Sequence, residues 1–178
     1  MDLQYSDFQS TLARIEPYVK KTTLLRCKAI EEHLNTPHRV FLKLENEQPT
    51  HSFKVRGAFN ALLNLSPELR EKGVVTRSSG NFAQAVAYAG QRLFIKARIV
   101  MPTNAPEVKK QGTQKFNPEL IFAGNTPEEG NAVAEQLAAT TGATLLSPYN
   151  HVDVIKGQGT IALEVYEDLP TVQHFYCP

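Results

Sequence analysis

Apolar residues along this chain recur in two rhythms, and the two alternate. From Gly73 onward a short β-branched run, Val74 to Thr76, gives way to a helical pattern over Asn81 to Leu93. A strand-like run at Ala97 to Met101 and a helix at Pro106 to Lys115 follow. A strand at Leu120 to Phe122 then precedes a helix with marked ends. Thr126 is placed to cap it, Pro127 takes the first position, Glu129 closes a capping box, and Gly142 is placed to stop it. Leu145 and Leu146 suggest a short strand, a long helix runs on to about Leu169, and Val172 to Tyr176 reads as a last strand. Strands alternating with helices imply parallel pairing through crossover helices, hence an α/β fold.

The segment before Gly73 is less regular. Ser6 can cap a helix in which Phe8, Leu12 and Ile15 share a face, with Pro17 after its last turn. Arg26 to Leu34 reads as a second helix, ended near Asn35 and Pro37. Arg39 to Glu45 reads as a strand with Val40, Leu42 and Leu44 on one face. There is no internal repeat and no low-complexity linker.

Composition narrows the function classes. The chain has 178 residues, 42% of them apolar and 21% charged, the balance of a folded globular protein. A formal charge of +1, spread without clusters, argues against a nucleic-acid partner. The opening MDLQYSDFQS lacks the basic and apolar regions of a signal peptide, and no apolar run approaches the roughly 20 residues that span a bilayer, so no membrane partner is expected and the cytoplasm is the expected location. Cys27 and Cys177 define no disulfide framework. His33, His38, His51, His151 and His174 lack metal-ligand spacing, so no metal site is expected.

Two stretches carry candidate chemistry. In Thr50 to Gly57, THSFKVRG, Lys54 sits between Phe53 and Val55 at the start of an apolar helical run. An amine partly withdrawn from water loses preference for its charged form, which favours attack on an aldehyde. In Ser78 to Gln84, SSGNFAQ, a small polar loop opens into a helix that is apolar almost all round. The free amides and positive dipole end of that helix make a ready anion site. On the residues alone, Asn81 also reads as a helix cap, Phe53 as core packing, and Arg56 as one half of a structural ion pair with Glu45 as a candidate partner. Neither GxGxxG nor GxxxxGK[ST] occurs, which argues against a Rossmann dehydrogenase.

The SFKVRGA and SSGNFAQ blocks, with LKLENEQPT, VAYAG, IVMPTNAP and VIKGQGTIALEV in the same order, resemble the fold-type II pyridoxal-phosphate enzymes. The likeness is to the threonine/serine dehydratase and serine racemase branch, and it covers nearly the whole chain. It implies a tryptophan synthase β-like open parallel-sheet architecture: residues 1–49 begin a large domain, 50–152 form a complete small α/β domain, and 153–178 return to the large one, which is incomplete. It implies pyridoxal 5'-phosphate as cofactor, an amino acid as substrate, and ammonia-lyase activity on threonine or serine giving a 2-oxo acid. In the resembled enzymes the residue matching Lys54 is joined to the cofactor as a Schiff base. Those matching Phe53 and Asn81 lie at its ring, and those matching Ser78, Ser79 and Asn81 hold the substrate carboxylate. Ser79 matches the serine that serves the opposite face in racemases, and with Lys54 completes the catalytic pair.

Some positions depart from the pattern. Phe82 stands where histidine is commonest, and TTLL at Thr22 to Leu25 where many relatives have Thr-Pro-Leu. The resembled enzymes continue past the position of Pro178 into a glycine-rich phosphate loop and a partner for the pyridine nitrogen. A chain of this length is therefore expected to bind cofactor weakly, with a non-catalytic remnant as the alternative and self-association through an open sheet edge making a homo-oligomer. A racemase or a β-replacing synthase are the further alternatives, although SFKVRG and SSGNFAQA favour the dehydratase branch.

Overall fold

The computed structural model describes residues 2–177. Its first part runs through α1 (Tyr5–Ile15), β1 (Leu24–Arg26), α2 (Lys28–His33), β2 (Phe41–Lys43), a 3-10 turn at Glu45–Glu47 and α3 (Lys54–Leu63). The alternating part follows as α4 (Pro67–Lys72), β3 (Val74–Arg77), α5 (Asn81–Leu93), β4 (Ala97–Met101), α6 (Glu107–Gln114), β5 (Glu119–Phe122), α7 (Pro127–Thr141), β6 (Thr144–Leu145) and α8 (Val152–Asp168).

The strands from β3 onward form one parallel sheet in the order β5-β4-β3-β6. Successive strand residues face opposite sides. Val74, Ile99 and Met101 therefore join the core built by α3 and α5, while Val75 and Val100 pack against Ala134 of α7. The sheet is covered on both faces, as the α/β pattern requires. The capping box of α7 forms as its residues dictate, with Thr126 Oγ1 accepting from the Glu129 amide at 3.2 Å, and Gly142 ends the helix in the left-handed conformation.

Helix α3 is buried continuously from Val55 to Leu62 and lies between α5 and α8. Its crossing with α8 is a backbone contact: a methyl placed on Gly157 would stand 2.5 Å from the Gly57 Cα. The Gly57 amide donates to Gln158 Oε1 at 3.1 Å across the same seam. On the other side Phe59 stacks on Tyr18 at 4.8 Å and meets the edge of Tyr88 at 5.7 Å, joining α3 to the chain after α1 and to α5.

The structure corrects several expectations. Helix α1 is capped by Gln4, whose amide donates to Asp7 Oδ2 at 2.9 Å, and Ser6 lies inside the helix. The second helix is shorter than its pattern suggests, because Arg26 is drawn into an antiparallel pairing of β1 with β2, in which Leu25 faces Leu42. Residues 172–177 form no strand. They alternate suitably, but a strand needs a neighbour to take its amides, and among the described residues none runs beside this segment. Instead it borders an open groove of about 1100 Å³ shared with β2, Phe53, Gln158 and Val165. No helix among the described residues is long and apolar enough to cross a membrane.

Candidate functional site

Parallel α/β sheets present their ligand sites beyond the carboxyl ends of their strands. Here that edge carries two neighbouring loops. After β3, the Ser78 amide still donates to Val100 O at 3.1 Å, and the chain then turns into α5. After β6, the Leu146 amide donates to Val75 O at 2.8 Å, and Thr76 Oγ1 donates to Leu146 O at 2.8 Å. These bonds hold residues 147–151 beside the turn at 78–80.

Ser78 builds the turn. Its hydroxyl oxygen accepts from the amides of Gly80 at 3.3 Å and Ala83 at 3.2 Å, so this side chain caps α5 from outside the helix. The amides of Ser79, Asn81 and Phe82 donate to no acceptor among the described residues. Asn81 is exposed at the first helical position, and Gly80 borders open space, since a methyl there would meet nothing within 4 Å. The helix start therefore offers free donors and a positive dipole end, suited to an anion.

Lys54 reaches this edge from α3. Its Nζ lies 4.7 Å from the centre of the Phe53 ring and 5.4 Å from that of Tyr149, in the loop after β6. The side chain is half-buried and makes no ion pair or hydrogen bond among the described residues. Burial lowers its pKa from the ordinary lysine value, and its place at a helix N-terminus works in the same direction. Just before it, the hydroxyls of Thr50 and Ser52 are buried without partners among the described residues. An unpaired, partly dehydrated amine with a free helix N-terminus at the same sheet edge fits an aldehyde cofactor that carries acceptor oxygens.

Two residues after Lys54, Arg56 is wholly buried. It donates through Nε and Nη2 to Glu45, at 2.9 and 2.8 Å, and through Nη1 and Nη2 to Glu164, at 2.6 and 3.0 Å. Lys43 closes the group with a 2.6 Å ion pair to Glu164. Burial pulls the Arg56 pKa down, and the hydrogen bonds to the two glutamates outweigh it, leaving it raised.

The Arg56–Glu45 pairing agrees with the sequence reading, which did not extend to Lys43, Glu164 or Tyr149. Glu164 had a signal in its position between apolar residues of a buried helix, where an acid needs partners. Tyr149 could have been found from its place just past a parallel strand.

A doubly covered parallel sheet with an unpaired lysine and a free helix N-terminus at its carboxyl edge defines an α/β protein with an amine-centred site. The chain belongs to the family described as pyridoxal-phosphate dependent enzyme, whose model matches residues 15–178. It is 40% identical over 172 residues to the L-threonine dehydratase TdcB of Staphylococcus aureus, covering 97% of this chain and 49% of that protein. It is 39% identical to the L-threo-3-hydroxyaspartate ammonia-lyase of Saccharomyces cerevisiae, covering 98% of this chain and 53% of that one. Among solved structures, maize serine racemase matches with a TM-score of 0.91 and 36% identity, covering 96% of this chain and 51% of the racemase. The chain spans about half the length of these relatives.

Proposed function

We propose that the chain is the lysine-bearing part of a pyridoxal-phosphate-dependent ammonia-lyase acting on a hydroxy-amino acid, threonine or serine, with a 2-oxo acid and ammonia as products. The observation that carries the reading is Lys54: a half-buried amine without a partner among the described residues, at the carboxyl edge of the sheet, with its pKa lowered by burial. When bound, pyridoxal phosphate supplies an electron sink for the pair left at the substrate α-carbon.

The protein's own groups divide the remaining work. Lys54 Nζ would hold the cofactor and, as a free amine, would take the α-proton of the substrate. The Asn81 side chain and the Phe53 ring orient the cofactor ring. The free amides at Asn81 and Phe82 and the Ser79 hydroxyl hold the substrate carboxylate. Ser78 contributes indirectly, since its oxygen is committed to the turn, although its hydroxyl proton remains free to donate. Residues 50–152 act as the small domain of this reading, and residues 1–49 and 153–178 as parts of a larger one. A cytoplasmic location and homo-oligomers formed through the open groove side belong to the same reading, and sedimentation velocity would detect such oligomers.

A racemase is the second reading, favoured by the TM-score of 0.91 to maize serine racemase. There the Ser79 hydroxyl would return a proton to the face opposite Lys54, and the product would be the inverted amino acid rather than a 2-oxo acid.

The test of the shared core is chemical. Incubation with pyridoxal phosphate, borohydride reduction and peptide mapping should place the adduct at Lys54 in preference to the other lysines. Label distributed evenly over surface lysines would overturn the assignment.

A further inference from the structure

Two cations lie two residues apart at the start of α3, and the fold treats them in opposite ways. Arg56 is saturated with carboxylates, whereas Lys54 has none among the described residues. The carboxylates are fully engaged. Glu45 also accepts from Thr22 Oγ1 at 2.6 Å and from Gln48 Nε2 at 3.3 Å, and Glu164 is shared between Arg56 and Lys43. Lys43 and Arg56 balance Glu45 and Glu164, so the group sums to no net formal charge.

Several other ionisable groups near α3 are engaged elsewhere. From α8, Asp153 accepts from Asn64 at 2.8 Å and Lys156 pairs with Asp7 at 2.8 Å. From α1, Arg14 donates to Asn60 at 2.8 Å. The loop after β6 brings Tyr149 and His151, whose Nδ1 is buried with no partner among the described residues, while α5 meets α3 through Tyr88 and bears its one cation, Arg92, exposed in its last turn.

Buried ion pairs are weak evidence for stability, because apolar replacements of similar volume are often as good. Their effect on the neighbouring amine is therefore the informative question. We propose that Lys43, Glu45, Arg56 and Glu164 are positioning residues for Lys54: a closed, neutral set that seats the first turn of α3 and keeps carboxylates from pairing with its amine. The proposal deepens, and rests on, the reading of Lys54 as the reactive amine.

Neutrality gives the test a sign. Glu45→Gln leaves the set with a surplus positive charge, which disfavours the Lys54 ammonium. Lys43→Met leaves a surplus negative charge, which favours it. Competitive labelling with an amine-specific acylating reagent across pH, read at Lys54 by peptide mass spectrometry, follows this amine without any cofactor. The Lys54 profile should move to lower pH in Glu45→Gln and to higher pH in Lys43→Met, with labelling at neutral pH rising several-fold in the first and falling several-fold in the second. The double variant should return to the parent profile. A structural role alone would move both single variants in the same direction and the double further still. That result, or profiles that do not move, would overturn the proposal. Should circular dichroism show Lys43→Met to be unfolded, Glu45→Gln and the charge-balanced double still decide. A parent Lys54 that titrates like a surface lysine would instead remove the reading on which the proposal stands, and the proposal with it.

Discussion

The two sheets of this molecule are finished to different degrees. The parallel sheet has helices on both faces, and its residues Val74, Val75, Ile99, Val100 and Met101 are fully buried. The β1–β2 ribbon has two short strands, an exposed cross-strand pair in Leu25 and Leu42, and the open groove beside it. The first region meets its own packing requirements, whereas the second presents apolar side chains and backbone groups that another layer could cover. The parallel sheet closes on itself, and the region left open lies on the groove side.

The largest expected effect tests the closed half. Phe59 fills the space between Tyr18 and Tyr88, and Phe59→Ala should lower stability by about 3–5 kcal/mol, measured by urea unfolding. A change below about 1 kcal/mol would mean that this core is far looser than its burial indicates.

Acid should separate the halves further. Near the ribbon, Glu31 has its pKa lowered first by the Arg26 side chain and then by the Val40 amide. Glu47 is lowered by the Thr23 amide and then the Thr23 side chain. Carboxylates with depressed folded-state pKa values stabilise fully above their ordinary value, 4.5 here, and lose that contribution as pH falls through the folded value. Hydrogen exchange should therefore show the amides of Thr23 and Val40 losing protection below pH 4.5, before those of Ile99 and Val100. Both carboxylates remain partly open to solvent, so added salt should narrow the gap. Simultaneous loss would show that the ribbon and the sheet open as one unit.

The smallest effect belongs to the exposed pair. Leu42→Ser should change stability by no more than about 0.5 kcal/mol, because its side chain already meets water. A large loss in the same urea experiment would show that the ribbon face is covered in solution.

Legibility followed the same division. Helix α5 and strand β4 match their apolar patterns residue for residue, and α7 begins and ends where its capping residues direct. These are local signals, carried by neighbours in sequence. Strand β1 was not foreseen because Leu24–Arg26 takes its form from β2, some seventeen residues on along the register that pairs Leu25 with Leu42. The strand pattern at Val172 to Tyr176 was legible, but whether it becomes a strand depends on a partner, which no local pattern supplies. In the site, Lys54 and the 78–81 turn could be found from their motifs. The choice of Ser78, rather than Asn81, to cap α5 depended on the turn geometry, and the pairing of Lys43 with Glu164 on the approach of a helix more than a hundred residues away.

The Gly57–Gly157 crossing has a mechanical consequence. Side chains between packed helices can change rotamer and absorb small displacements, but here the backbones of the two glycines meet directly, with only the hydrogen-bonded Gln158 side chain beside them. The crossing lies one turn from Lys54, and beyond it α8 runs on past Val165, which lines the groove. A closer approach of α8 to α3 is therefore barred at this crossing, and any side chain added at Gly57 or Gly157 would force the two helices apart next to the lysine-bearing turn.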